Sequence, residues 1–418
     1  MVIDLGEPRD DEIELSPRPW SPRHRRAVGA AIALTTLLSA GGAAAPVRSG
    51  LVAVTIQATA ADEFVVDDDA LYLMRPSGVV VRAGLRTITR YRLPDATRPE
   101  WEAGIYTAGR VRGASLVGGM LLAVSEAGPE IQTIAIRPDT GREVWRRTGW
   151  WYEASPGHGL LLDHSRGLTQ QVFGVELATG TVGWSRVYPA EDPVLVQGDR
   201  FVHWTGSGTA QVHDSATGDV LATAHLPLDP ELTPQVVDGL LLIPEEGAGL
   251  TAYGLDRLDR RWRADVDVRN EYVSGECGDA LCVGIRDDAG IRLVDLATGR
   301  TRWFAPGWGY AYRVGPYLLA YGRGETKNPR AALLDPADGH LVGDLGEWNA
   351  SLPAEDGQML GIRENGTRTL VGRLDPATAK AEVLGLLAGV FQCQASPVAV
   401  VCRRAGGSIG VWYPERRL

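Results

Sequence analysis

The sequence predicts an all-β ring of repeated units, a β-propeller of eight four-stranded blades preceded by one N-terminal transmembrane helix. Three observations predict it. A turn-centred frame recurs at a steady interval, and short β-rich runs bounded by Gly, Asp and Pro fill each interval. No amphipathic helix of useful length appears after residue 60.

The frame is clearest as DLATGRTRW, from Asp295 to Trp303, as ELATGTVGW, from Glu176 to Trp184, and as RPDTGREVW, from Arg137 to Trp145. Weaker copies begin at Asp214, Asp335 and Asp375, one ends at Trp262, and an eroded one ends at Trp101. The turn position falls at Thr97, Gly141, Gly180, Gly218, Leu258, Gly299, Gly339 and Ala379, spaced by 44, 39, 38, 40, 41, 40 and 40 residues. The Thr-Gly pair closes a hairpin in which Gly tolerates a positive φ. The acidic residue four before the Gly accepts backbone N–H groups of that turn. The Trp four after it offers a flat surface to the neighbouring unit, and it is missing at Ala222, Gly343 and Val383. A single four-stranded sheet cannot bury both faces alone, and radial stacking around an axis does so. Nine opening strands can be counted against eight turns, and ring closure by N-terminal segments accommodates the extra one.

This frame resembles the tryptophan-docking motif of the pyrroloquinoline-quinone (PQQ)-like β-propellers. The best matches are Asp295/Thr298/Gly299/Trp303 and Glu176/Thr179/Gly180/Trp184, and the resemblance covers residues 63–418. No unit ends in Trp-Asp, as WD40 repeats do. The resemblance implies either a quinoprotein dehydrogenase carrying PQQ and Ca²⁺ or a non-catalytic scaffold like the propellers of envelope-assembly lipoproteins. Catalytic members carry two adjacent cysteines and a Glu/Asn/Asp calcium cluster, and neither is found here. A lipobox cysteine is also missing.

The N-terminus predicts export. Arg23-His24-Arg25-Arg26 precedes an uncharged run from Ala27 to Val47, long enough to cross a bilayer. The basic cluster orients residues 1–26 to the cytoplasm, with 27–47 as anchor and 48–62 as linker or closing strand. Cleavage after Ala43-Ala44-Ala45, giving a secreted protein, is the alternative. The four cysteines form two local pairs, Cys277 with Cys282 and Cys393 with Cys402, each placed as two sides of a hairpin. In an exported chain they are expected as disulfides.

A net charge of −10 argues against nucleic-acid binding, which needs a basic face. Asp67-Asp68-Asp69 lacks the alternating ligands of a calcium loop. The seven histidines form no HxH or HExxH pattern, and His203 and His213, flanking a Gly-rich hairpin, are expected at the surface. No cofactor, metal or catalytic residue is therefore expected. Aromatic clusters at blade starts are the candidate binding surface: Trp150, Trp151 and Tyr152, then Trp308, Tyr310 and Tyr312, then Trp348. Packing between blades is the competing role for them. The expectation is a monomeric, membrane-anchored, non-catalytic adaptor for a protein or cell-envelope ligand. A cofactor-dependent dehydrogenase or other propeller enzyme is the first alternative, and a tethered ligand sensor the second.

Overall fold

The computed structural model describes residues 50–415 apart from 77–83, 166, 228–232, 246–248, 268–270, 286–289, 323–327 and 351–356. All of these lie in the second of the chain's two units, Ser49–Leu418. The expected tail (1–26) and anchor (27–47) lie outside the described residues. Among the described residues, no helix is long and apolar enough to cross a membrane.

The described residues form nine four-stranded antiparallel sheets, not eight. Blades 1 to 8 occupy residues 63–107, 110–148, 150–189, 194–225, 235–264, 271–306, 308–347 and 349–388, each with its strands in simple sequence order. Blade 9 takes three strands from the C-terminus (Val390–Ala395, Val400–Arg404, Ile409–Pro414) and its outer strand, Leu51–Ile56, from the N-terminal side. Eight turns mislead the count for a physical reason. The frame marks the connection between third and fourth strands, and blade 9 has no such connection because its fourth strand arrives from elsewhere in the chain.

The turn chemistry is local. At Gly141, Gly180, Gly218, Gly299 and Gly339 the N–H donates to the carbonyl four residues back, each at 2.8 Å, with φ between 69° and 76°. Asp295 Oδ1 accepts Ala297 N (3.1 Å) and Thr298 N (2.8 Å), and Asp214 Oδ1 accepts Ala216 N and Thr217 N. Arg302 and Thr298 beside it hold the Asp295 carboxyl down at about 2.

Between blades, five Trp indoles lie on the turn of the next blade. Nε1 of Trp101, Trp145, Trp184, Trp262 and Trp303 donates to the carbonyl of Pro138, Leu177, Ser215, Leu296 and Pro336 respectively, at 2.6–3.1 Å. The same rings cover Gly141, Gly180, Gly218, Gly299 and Gly339 so closely that a Cβ there would stand 2.4–2.7 Å from ring or Cβ carbon. Glycine is required twice over, by φ and by this contact.

At one of the three positions where Trp is missing, the bulk has changed sides. Ala222 faces Leu258, which holds the turn position with φ 56° and the same 2.8 Å bond to Gly254, and whose side chain is buried against blade 4. At the next gap Gly343 meets Ala379, and a Cβ on Gly343 would stand 2.1 Å from the Ala379 Cβ. Val383 has no turn to meet, since blade 9 lacks one, and it is exposed.

Arg403 locks the closure. It is buried, and it donates to Gln392 Oε1 (3.0 Å) and to the carbonyls of Thr59 (2.6 Å), Gly407 (3.2 Å) and Asp62 while stacking over Phe64. Arg403→Ala removes a buried cation that makes four hydrogen bonds and leaves carbonyls without donors. The expected loss is about 3 kcal/mol or more, read as a lowered denaturation midpoint.

Candidate functional site: the connector-side mouth of the ring

In every blade the first strand lies at one edge of the sheet, and the first strands of blades 1 and 2, 3 and 4, 4 and 5, and 6 and 7 abut. These are the innermost strands. Because each blade repeats one antiparallel order, all nine run the same way along the axis. The first residues of each inner strand therefore collect at the end of the ring that carries the blade-to-blade connections.

The seven candidate aromatics divide by face. Along Trp150–Ser155, alternation exposes Trp150 (40%) and Tyr152 (41%) and buries Trp151, whose ring lies against Gly159 and 5.8 Å from Trp145. On Trp308–Val314, Trp308 is buried under the Arg330 guanidinium, whereas Tyr310 is 43% exposed. Tyr310 stacks at 4.8 Å on its cross-strand partner Tyr321, which is buried and pairs with the Tyr312 hydroxyl at 3.4 Å. Tyr272 of blade 6 donates to Gly309 O at 2.8 Å and fixes this strand laterally. Burial raises the Tyr310 and Tyr312 phenols above their ordinary value, so both remain donors at neutral pH. Trp348 is buried against Gly372 and Gly361 beneath Arg363 and serves the blade 7–8 seam.

The mouth also holds residues that sequence reasoning missed. Phe391, second in its inner strand, is 44% exposed. Arg110 and Arg112 head the inner strand of blade 2, paired with Glu63 (3.0 Å) and Glu126. They line a cavity of about 570 Å³ across blades 9, 1 and 2, together with Gln392, Gln394 and Arg403. The signal that finds them is register. Aligned on the turns, the first three residues of each opening strand are the ones at this end.

At the opposite end, Gln197 donates to Glu276 Oε1 at 3.3 Å across blade 5, which contributes the N–H groups of Asp238 and Gly239. The Asp67–Asp69 turn is capped by a bond from Asp67 N to Ala70 O. Among the described residues no group of three or more His, Cys, Asp or Glu could hold a metal. His203 and His213 are a correction: both are buried, 5% and 1% exposed. A propeller sheet buries both faces between neighbours, so alternation does not send a polar residue in its middle strands to solvent.

The cysteines are joined as expected, Cys277 to Cys282 and Cys393 to Cys402, with Cα atoms 5.7 and 4.1 Å apart. The pairs differ in access: Cys277 and Cys282 are both buried, whereas Cys393 is partly exposed and lines the 570 Å³ cavity. Mild dithiol reductant followed by alkylation and peptide mapping should therefore label Cys393 and Cys402 first. Labelling of Cys277 and Cys282 should require unfolding, and equal rates for the two pairs would contradict this.

No family model matches the chain, and no curated protein matches it. Among solved structures it is similar to BamB from Moraxella catarrhalis, with 14% identity and a TM-score of 0.43 over 87% of this chain and 99% of that one. It is similar also to the computationally designed Ika8 protein, with 12% identity and a TM-score of 0.45 over 72% and 96%. The C-terminal WD40 domain of Sif2 gives 10% and 0.43 over 87% and 98%. No residue or role is carried over from them. On their own strand order the described residues form a β-propeller of nine four-stranded blades.

Proposed function

We propose that this propeller is a non-catalytic binding scaffold that receives a protein partner at its connector-side mouth. The observation that carries the reading is that Trp150, Tyr152, Tyr310 and Phe391 are all exposed at one end of the inner strands. Exposed aromatics on rigid strands, with arginines beside them, are the composition of interface hot spots. Tyr310 is held in place by the buried Tyr321, so little conformational freedom is lost when a partner docks.

The five Trp–turn contacts support membership of the PQQ-like, tryptophan-docking propellers. The cysteines are not adjacent and are used up in hairpin disulfides, which favours a scaffold over a quinoprotein enzyme. Two disulfides favour a compartment outside the cytoplasm, with residues 27–47 as the tether and 1–26 on the cytoplasmic side. The acidic balance favours a protein over a nucleic acid. The ring closes on itself through one chain, in keeping with a monomer.

In-cell crosslinking of the full chain, followed by mass spectrometry, tests the reading. One envelope protein should be enriched, and Trp150→Ala/Tyr152→Ala/Tyr310→Ala should reduce its capture at least about tenfold while leaving the melting temperature unchanged. Undiminished capture by the triple variant, or enrichment of a glycan in place of a protein, overturns it.

A further inference from the structure

The seam between blades 3 and 4 contains a run of rings that crosses from one blade to the other. Trp184 stacks on Phe201 at 5.4 Å, Phe201 on His213 at 4.5 Å, and Tyr188 meets His213 at 6.3 Å and His203 at 3.8 Å. His203 and His213 are the buried histidines among the described residues.

Hydrogen bonds assign the tautomers. The Gly218 carbonyl can only accept, and it lies 3.2 Å from His213 Nδ1, so that nitrogen carries the proton. Asp192 Oδ2 lies 3.0 Å from His203 Nε2, and that nitrogen donates. The other nitrogens, Nε2 of His213 and Nδ1 of His203, have no hydrogen-bond partner among the described residues, nor has the Tyr188 hydroxyl. A second proton on His213 would be a buried charge without an acceptor.

The groups around His213 make that charge worse. From the outer strand of blade 3 come Arg186, which donates to the same Gly218 carbonyl at 3.0 and 2.7 Å, and Tyr188. From blade 4 comes His203. Asp192, on the connector, is engaged by His203 and by Gly206 N (3.1 Å). Asp214, next in the chain, is engaged by Ala216, Thr217 and Arg200.

We propose that the blade 3–4 seam is an acid-sensitive joint, held closed by neutral His213 and loosened when that ring takes a second proton. Burial first, then Arg186 and His203, push His213 below its ordinary value of 6.5, and its bond to Gly218 opposes them only in part. The closed seam prefers the neutral ring. Its stabilisation is therefore complete above pH 6.5 and is lost as pH falls through 6.5 towards the depressed value. The inner strands Trp150–Ser155 and Val194–Gln197 abut across this joint, so acid alters the ring beside Trp150 and Tyr152. The joint does not depend on what the mouth binds.

Amide hydrogen exchange on the full chain at pH 7.5 and 5.0, corrected for intrinsic exchange, tests it. Peptides covering 182–189 and 200–214 should lose roughly tenfold protection at the lower pH, while blade 8 peptides covering 359–375 keep theirs. His213→Asn retains a donor for Gly218 O and takes no proton, so its seam should ignore pH. Unchanged protection in the wild-type seam, or an Asn variant that responds like wild type, overturns the proposal. Should that variant fail to fold, the ring's own titration by NMR decides. A midpoint below 6.5 supports the joint, and one at or above 6.5 overturns it.

Discussion

A chain that starts at Gln57 in place of Gly50 is expected to lose most of its stability. The six residues Leu51–Ile56 are the outer strand of blade 9, and each pairs with the C-terminal strand, from Leu51 opposite Pro414 to Ile56 opposite Ile409. Ile56 is buried with Ile409, Val411, Leu71 and Leu73, and Val54 packs against that cluster. Burying Ile56 and Val54 is worth about 3 kcal/mol, and the lost ladder bonds add about 1 kcal/mol each. The total approaches the whole stability of an ordinary domain. Arg403 would still hold Thr59 and Asp62, but it would tie down a linker with no strand behind it. Thermal melts and limited proteolysis of the two truncations check this. Equal melting temperatures would show that blade 9 closes without its fourth strand.

That outcome bears on what could be read from the chain beforehand. The repeat, the four-stranded unit and the Trp–Gly frame are local chemistry, written within nine residues, and the structure repeats them. The ninth blade is not local, because Leu51 and Pro414 meet only after the ring has formed. The cysteine pairs were legible for the same reason as the turns, since each spans one hairpin. The aromatics were legible as residue types and not as faces. Trp150 and Trp151 are adjacent in sequence, yet one is exposed and the other lies on Gly159. His203 and His213 were misplaced because a Gly-rich hairpin signals a surface turn, while the residues leading into it lie between two sheets. Leu258 and Ala379 stand at the turn of weaker copies of the frame. In three dimensions Leu258 fills the room that Ala222 leaves, and Ala379 meets Gly343 where the Trp is lost.

That compensation leads to the second large effect. Trp262 is buried, donates to Leu296 O at 2.6 Å, and covers Gly299 so closely that a Cβ there would meet Cε3 at 2.5 Å. Trp262→Ala should cost about 3–5 kcal/mol. Gly299→Leu alone should also destabilise, since a side chain at φ 69° must displace the indole. The double variant recreates at the blade 5–6 seam the Ala222/Leu258 pair that the protein already uses at the blade 4–5 seam. There Leu258 keeps the turn bond at 2.8 Å with φ 56°. The two losses should therefore not add: the cycle should return a favourable coupling of about 2 kcal/mol or more. Chemical denaturation of the four proteins measures it. Additive losses would mean that Leu258 is tolerated only by its own surroundings, whereas coupling would show that the blade 5–6 seam needs one large side chain and is indifferent to which blade supplies it.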